Sequence, residues 1–289
     1  MRVLGLDLGA TNIKLAVLQD GSVAEQRDEP TRSEDGDPER VLRRLTELGR
    51  SVGGVDSIGV ALPGLFDDAG NAVLLPNLYG DWTGVPVRAR LEELLDAPVH
   101  LVNDGHAFAL AESMLGAGRG ASDVMCVVCG TGVGGGLVLG GRLHLGVTDR
   151  GGELGHHTVD EKGPKCPCGN CGCLELYAGA RAIAAAASAG SFDDAVVRAK
   201  AGDDTAVRAL ARAGELVGLA VANVLIFLAP ERVVVGGGVT EAGELFLGPL
   251  RASVAARARV APLERIEVVQ AELGPRAGAI GAALWGRQA

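Results

Sequence analysis

The sequence predicts an α/β fold made of two related halves. Two observations carry this. Short apolar runs of strand length alternate with stretches of helical periodicity. A strand–glycine turn–strand unit at the N-terminus also returns about 121 residues later, with Gly9 aligned on Gly130, Val17 on Val138 and Leu18 on Leu139. Two such units, each heading a half, suggest an internal duplication. No polar linker separates the halves, which points to lobes joined by a hinge.

Each element has a local reason. VLGLDL and IKLAVL, joined at Gly9-Ala10-Thr11-Asn12, read as a hairpin. Asp37-Pro38 is a helix cap followed by a first-turn proline, and Val41, Leu42, Leu45 and Leu48 then share one helical face. SIGVALPG is a buried strand ending in a turn. Pro86 opens a second helix whose inner face carries Val87, Leu91, Leu94 and Leu95. PVHLVND is a strand and GHAFALAESML the helix after it. VMCVVCGTGVGGGLVLGGRL repeats the opening hairpin. The stretch from about Gly179 to Ala229 is alanine-rich and helical. Arg232–Val235 is a buried strand running into Gly236-Gly237-Gly238, IEVVQAEL is the last strand, and the last helix starts near Gly278.

Composition narrows the function. The chain has 289 residues, 47% hydrophobic and 22% charged, which excludes a disordered protein. The net charge of −9 argues against binding nucleic acid or an anionic membrane through a basic surface. Asp7, Asn12 and Lys14 interrupt the N-terminal apolar run, so it does not read as a signal peptide. Leu216–Ala229, the longest apolar stretch, is too short to span a bilayer and reads as a buried helix. Four of the six cysteines crowd into Cys166–Cys173, which points to metal in a reducing, cytoplasmic compartment.

Several groups carry chemistry. Gly9, Ala10, Thr11 and Asn12 form a small-residue turn whose amides can nest an anion, and Asp7 beside it can hold the magnesium of a nucleotide. Gly130-Thr131-Gly132-Val133-Gly134-Gly135-Gly136 puts five glycines in seven residues, a composition that weakens a strand unless something must approach it. It is neither a P-loop nor a Rossmann fingerprint, because no Gly-Lys-Ser/Thr follows and a strand, not a helix, comes next. Two such turns can clasp a phosphate chain, and Gly236-Gly237-Gly238 can line an adenosine pocket. His156 with Cys166, Cys168, Cys171 and Cys173 offers five candidates for a four-ligand tetrahedral zinc site. Cys126 and Cys129, on opposite strand faces, read as small core residues. Asn103-Asp104 closes a strand just before a helix, where a carboxylate meets the positive helix end and can act as a base; the plainer reading is a helix cap. Glu153 and Glu175 flank the cysteine cluster, and fixed carboxylates suit a hydroxyl-rich ligand such as a sugar.

With these residues in place, the chain resembles the ROK family of sugar kinases and repressors, especially its bacterial glucokinases. Gly151-Gly152-Glu153-Leu154-Gly155-His156 followed by Cys166-x-Cys168-Gly-x-x-Gly172-Cys173-x-Glu175 is the most specific segment. DLGATNIK and GTGVGGG look like the family's two phosphate motifs, and NVLIFLAPERVVVGGGV like its adenosine region. The resemblance implies the actin-like ATPase (ribonuclease H-like) fold, two lobes around a cleft. The small lobe would be residues 1–105 plus a C-terminal helix at about 276–289, the large zinc-bearing lobe 106–275. It implies Asp104 as catalytic base. It implies sugar binding by Gly64, Asn77, Asn103, Asp104, Glu153, His156 and Glu175. Zinc would be held by His156, Cys166, Cys168 and Cys173, with Cys171 standing where the family usually has another residue. ATP and magnesium would be held by Asp7, Gly9, Ala10, Thr11, Asn12, Lys14, Gly130, Thr131, Gly132, Gly236, Gly237 and Gly238. Ala10 replaces a usual glycine, which demands a negative φ or some strain.

The resemblance thus implies ATP-dependent phosphorylation of a hexose 6-hydroxyl, with glucose first and N-acetylmannosamine, N-acetylglucosamine, fructose or allose as alternatives. It also implies a homo-oligomer, dimer or tetramer, with no nucleic-acid or membrane partner. The rival function is a sugar-responsive repressor. The family's repressors carry an N-terminal DNA-binding extension, for which Asp7 in the first strand leaves no room.

Overall fold

A computed structural model of the chain describes residues 1–31, 36–76 and 78–288, so Asn77 lies outside the described residues. The chain divides into two compact units. One is Met1–Gly116 with Leu143–Gly151 and Leu273–Ala289; the other is Ala117–Arg142 with Gly152–Glu272.

In the first unit, β1 (Arg2–Leu8) and β2 (Asn12–Gln19) form the expected antiparallel hairpin, and β3 (Ser22–Pro30) pairs with the outer side of β2. Helix α1 (Pro38–Ser51) starts where Asp37 accepts a hydrogen bond from the Glu39 amide; it buries Val41, Leu42, Leu45 and Leu48. β4 (Ser57–Leu62) is buried on both faces and runs parallel to β1. The short strands β5 (Leu65–Phe66) and β6 (Ala72–Leu74) pair with each other. Helix α2 (Val87–Leu95) buries Val87 and Leu91 but only half-buries Leu94 and Leu95. β7 (Val99–Asn103) joins β4 in parallel and leads into α3 (Asp104–Leu115). The sheet order is β3-β2-β1-β4-β7.

The second unit repeats this plan. β8 (Val124–Cys129), β9 (Val133–Leu139), β10 (Arg142–Leu143), β11 (Arg232–Gly236) and β12 (Glu267–Gln270) stand in the order β10-β9-β8-β11-β12. The register adds a detail that the sequence alignment misses. Leu8 faces Ile13 across the first turn, whereas Cys129 faces Val133 across the second. The second turn is one residue shorter, so the counterpart of Val17 is Leu137 rather than Val138.

Helices α4 (Glu175–Ala178), α5 (Ala180–Ala186), α6 (Phe192–Lys200), α7 (Asp204–Leu228) and α8 (Glu244–Arg257) complete this unit. α7 is longer than the apolar stretch suggests, because Asp203 caps it and its first half is amphipathic. Its 25 residues are long and apolar enough to cross a membrane by length and composition alone. Its buried side chains, Leu210, Val217, Val221 and Leu225 among them, belong to the core of this unit. Cys129 is buried in the same core, which pushes its thiol up to about 12.

The chain ends in α9 (Ala277–Gln288), back in the first unit. Glycines let its backbone lie directly on the sheet. A Cβ at Gly5 would sit 1.9 Å from the Ala279 carbonyl oxygen, and one at Gly59 1.7 Å from that of Ala282.

Candidate functional site

Within the first unit, the Gly9–Asn12 turn closes through the Gly9 amide, which donates to the Asn12 carbonyl at 3.0 Å. Thr31, fully buried, braces it. Its hydroxyl donates to the Gly9 carbonyl at 2.7 Å, and its amide donates to the Thr11 carbonyl at 2.9 Å. Thr11 and Asn12 remain exposed at the tip. Ala10 is not among the residues with positive φ, so alanine fits this backbone without strain. Asp7 lies behind the turn, with Lys14 Nζ 3.8 Å from its Oδ2. Burial raises the Asp7 pKa above the ordinary carboxylate value, and Lys14 opposes that rise. The start of α9 presses on the same carboxylate, since a Cβ at Gly278 would lie 2.6 Å from Asp7 Oδ2.

The β7–α3 junction gathers the next group. Asn103, not Asp104, is the helix cap: its Oδ1 accepts from the Gly105 amide at 2.9 Å and from the His106 amide at 3.3 Å. Its Nδ2 donates to the Gly64 carbonyl at 3.1 Å, so these two predicted sugar residues meet. Gly64 has φ 98° and its Cβ would lie 2.2 Å from the Leu74 carbonyl oxygen; no larger residue fits there. Asp104 is the first residue of α3 and is exposed, with Oδ1 accepting from the Gly105 amide at 2.8 Å.

In the second unit the Gly130–Gly132 turn closes through the Gly130 amide, which donates to the Gly132 carbonyl at 2.9 Å. Gly237, with φ 87°, packs on the end of β8, where a Cβ would lie 2.3 Å from the Cys129 carbonyl oxygen. This brings the third glycine group beside the second turn. Gly130 and Gly238 face open space. Glu175 reaches the turn: its Oε2 accepts from the Val133 amide at 3.1 Å.

The metal candidates converge. One ligand atom each from His156, Cys166, Cys168 and Cys173 all lie within 4.8 Å of one another. Cys166 Sγ is 3.7 Å from His156 Nδ1, and Cys168 Sγ is 3.6 Å from Cys173 Sγ. Tetrahedral zinc with bonds of about 2.0–2.3 Å spaces its ligands at roughly 3.6–3.8 Å, so the donor set fits that ion. Burial, with the Cys166 and Cys168 sulfurs adding to it, pushes the Cys173 thiol up to about 12. The Asn170 backbone amide instead lowers Cys168. Cys171 is outside the group, and its backbone bridges to Lys165. A cavity of about 500 Å³ is lined by Leu137, Leu154, Val224 and Phe227 together with Glu153 and His156, so these last two share one space.

The family signature described as ROK matches residues 3–289. The chain belongs to the ROK family. Its relatives include a glucokinase from Thermotoga maritima, 34% identical over 98% of this chain and 96% of that protein. A ROK hexokinase structure from Thermus thermophilus superposes with TM-score 0.88 at 35% identity, covering 100% of this chain and 98% of that one. A ROK glucokinase from Streptomyces griseus, in complex with glucose and AMPPNP, gives TM-score 0.86 at 30% identity, with 100% of both chains covered. Xylose repressors are also among the relatives. The fold is accordingly that of the actin-like ATPases.

For this ROK chain, sequence reasoning missed three residues at the candidate site. Thr31 braces the first turn. His106, buried in α3, donates from Nε2 to the Gly151 carbonyl at 2.7 Å, fixing the chain just before Gly152-Glu153. His157 Nε2 accepts from Asn223 Nδ2 at 3.2 Å beside the cavity. None leaves a local pattern, since each partner is 22 or more residues away.

Proposed function

We propose that this chain transfers the γ-phosphoryl group of ATP to the 6-hydroxyl of glucose. It is an ATP-dependent sugar kinase in the company of its relatives; glucose is the finer step, supported by the glucokinase names and by the glucose-bound Streptomyces griseus structure. The observation that carries the mechanism is the division of labour at the β7–α3 junction. Asn103 caps the helix through the Gly105 and His106 amides, and the Asp104 carboxylate stands exposed at the first position of α3.

Asp104 is the general base that removes the proton of the 6-hydroxyl as its oxygen attacks phosphorus. Asn103 retains its second amide hydrogen for the sugar. Gly64, Asn77, Glu153, His156 and Glu175 supply the remaining sugar contacts, with the carboxylates accepting from hydroxyls. Amides and side chains of Gly9, Ala10, Thr11, Asn12, Gly130, Thr131 and Gly132 hold the phosphates, Lys14 adds a positive charge, and Gly236–Gly238 receive the adenosine. Asp7 and phosphate oxygens would hold magnesium, which supplies charge compensation at the transferring group. His156, Cys166, Cys168 and Cys173 would hold a structural zinc. With His156 Nδ1 turned to the sulfurs, Nε2 is the nitrogen for a sugar hydroxyl. The thiol-rich cluster suits a reducing cytoplasm. The exposed end of α7, with Phe227 88% accessible, suits a homo-oligomer.

Asp104→Asn tests the reading. The substitution keeps size and the Gly105 hydrogen bond but cannot accept the proton, so kcat should fall at least about 10²-fold. KM for ATP and thermal stability should stay near wild type, because Asn103 is the cap. Near-normal turnover would remove Asp104 from the mechanism. An ADP-release assay across glucose, N-acetylmannosamine, N-acetylglucosamine, fructose and allose tests the substrate, and no turnover on any sugar would favour the repressor reading.

A further inference from the structure

We infer that Glu175, a sugar-side residue in the reading above, is also a positioning residue for the Gly130–Gly132 phosphate turn, so that nucleotide affinity depends on it even when no sugar is bound. The inference rests on that kinase reading for the identity of the ligand and on the second unit alone for its geometry.

The segment from Glu175 to Ala180 wraps the turn residue by residue. Glu175 Oε2 accepts from the Val133 amide at 3.1 Å. A Cβ at Gly132 would lie 2.0 Å from Glu175 Oε2, 2.9 Å from its Cδ and 3.6 Å from its Cγ, so the carboxylate lies directly against this glycine. At the other end, the Ala180 amide donates to the Gly130 carbonyl at 2.8 Å. Between them, a Cβ at Gly179 would lie 2.7 Å from the Thr131 carbonyl oxygen. Glycine is therefore required at 179 by the backbone of the turn, whereas a larger residue at 132 has to displace the Glu175 carboxylate.

A glycine-rich turn has many backbone states, and each one excluded before binding is entropy that the ligand need not remove. A carboxylate accepting a backbone N–H is a strong way to exclude them. Glu175 also reports on the sugar. When hydroxyls donate to it, the bracing carboxylate is shared, so sugar and nucleotide affinities become linked, and the linkage is reciprocal.

The test measures magnesium ADP binding by calorimetry without sugar. Glu175→Gln keeps an oxygen that can accept from Val133, so affinity should stay within about twofold of wild type. Glu175→Ala removes the acceptor, and affinity should fall on the order of tenfold. Thermal stability and metal content are recorded for both. Affinity unchanged in both variants would reduce Glu175 to a sugar ligand. Tighter binding in both would leave only charge repulsion, and either result overturns the inference.

A second arm does not depend on Glu175→Ala folding perfectly. Gly132→Ala should weaken nucleotide binding in the wild-type background by displacing the carboxylate. In the Glu175→Ala background it should cost clearly less than in wild type, because the carboxylate it strikes is gone and only the approach of the phosphate is still impeded. Additive losses would overturn the inference. Wild-type protein that binds no magnesium ADP would instead sink the kinase reading, and the inference with it.

Discussion

The two glycine turns share a strand frame but are held by different chemistry. Gly9–Asn12 is braced by a buried neutral hydroxyl, Thr31 on the Gly9 carbonyl. Gly130–Gly132, one residue shorter in register, is braced by the Glu175 carboxylate on Val133 and the Ala180 amide on Gly130. A hydroxyl brace has no charge for a ligand to modulate. A carboxylate brace does, and Glu175 lies two residues beyond Cys173 of the metal cluster. Two sheets of matching strand order thus hold their turns by different means, and in the second the brace lies next to the cysteine cluster. That link is local in the chain, so it can be cut without touching the first turn.

The largest effect should come from cutting it at the metal. Cys168→Ser removes one of the four converging ligands. Structural zinc contributes directly to folding, so the variant should lose its metal and melt on the order of 10 °C lower. Sugar affinity should fall most. Hydrogen exchange should speed up at Gly130–Val133 while Gly9–Asn12 stays protected. Cys171→Ser should keep metal and melting temperature. Equal loss of protection at both turns would show that the comparison is wrong. Metal lost from the Cys171 variant but kept by the Cys168 variant would reverse the ligand assignment.

The first sheet has its own charged group, and it responds to pH. Burial raises the Asp7 pKa, against the pull of Lys14. A carboxylate with a raised folded-state pKa takes up a proton more readily when folded. Its favourable contribution is present at low pH and is lost as pH rises through that raised value. Asp7→Asn imitates the protonated form at every pH. Without nucleotide, the variant should melt a few degrees above wild type at neutral pH, with the gap closing on acidification, since one pKa unit is worth about 1.4 kcal/mol. Its affinity for magnesium ADP should fall at least about tenfold, since the proposed magnesium carboxylate is gone. A gap that stays constant with pH would refute the burial account.

How much of this was legible in the sequence follows from the distance between partners. Asp37 as a cap, the hairpins and the Cys166–Cys173 cluster are local patterns, and each appears as expected. Spacing alone left five metal candidates for four places; the resemblance left Cys171 out, and the cluster omits it too. The cap at 103 rather than 104 was hidden, because Asn and Asp serve equally well there. IEVVQAEL yields a strand only at Glu267–Gln270, since strand pattern says little about where pairing partners end. The braces Thr31 and Glu175 act across 22 and 42 residues, and neither leaves a periodic trace.

The smallest effect isolates the neutral brace. Thr31→Val keeps the shape of a residue that is fully buried but deletes its hydroxyl. The Gly9 carbonyl loses that donor, while the Thr31 amide still reaches Thr11. A neutral hydrogen bond of this kind is worth about 0.5–1.5 kcal/mol net, more if the carbonyl stays dry. The melting temperature should fall by about 2–4 °C, and magnesium ADP affinity by a few-fold. Thr31→Ser keeps the hydroxyl and should retain nucleotide affinity, paying only for one buried methyl. The decisive reading is the sugar dependence of nucleotide affinity. Thr31→Val should weaken nucleotide binding equally with and without glucose, because its hydroxyl carries no charge for a ligand to share. Glu175→Ala should weaken it chiefly without glucose bound in the wild-type reference, so that the linkage shrinks. If Thr31→Val also abolished the linkage, the two turns would be one mechanical unit, and the contrast between a neutral and a charged brace would fail.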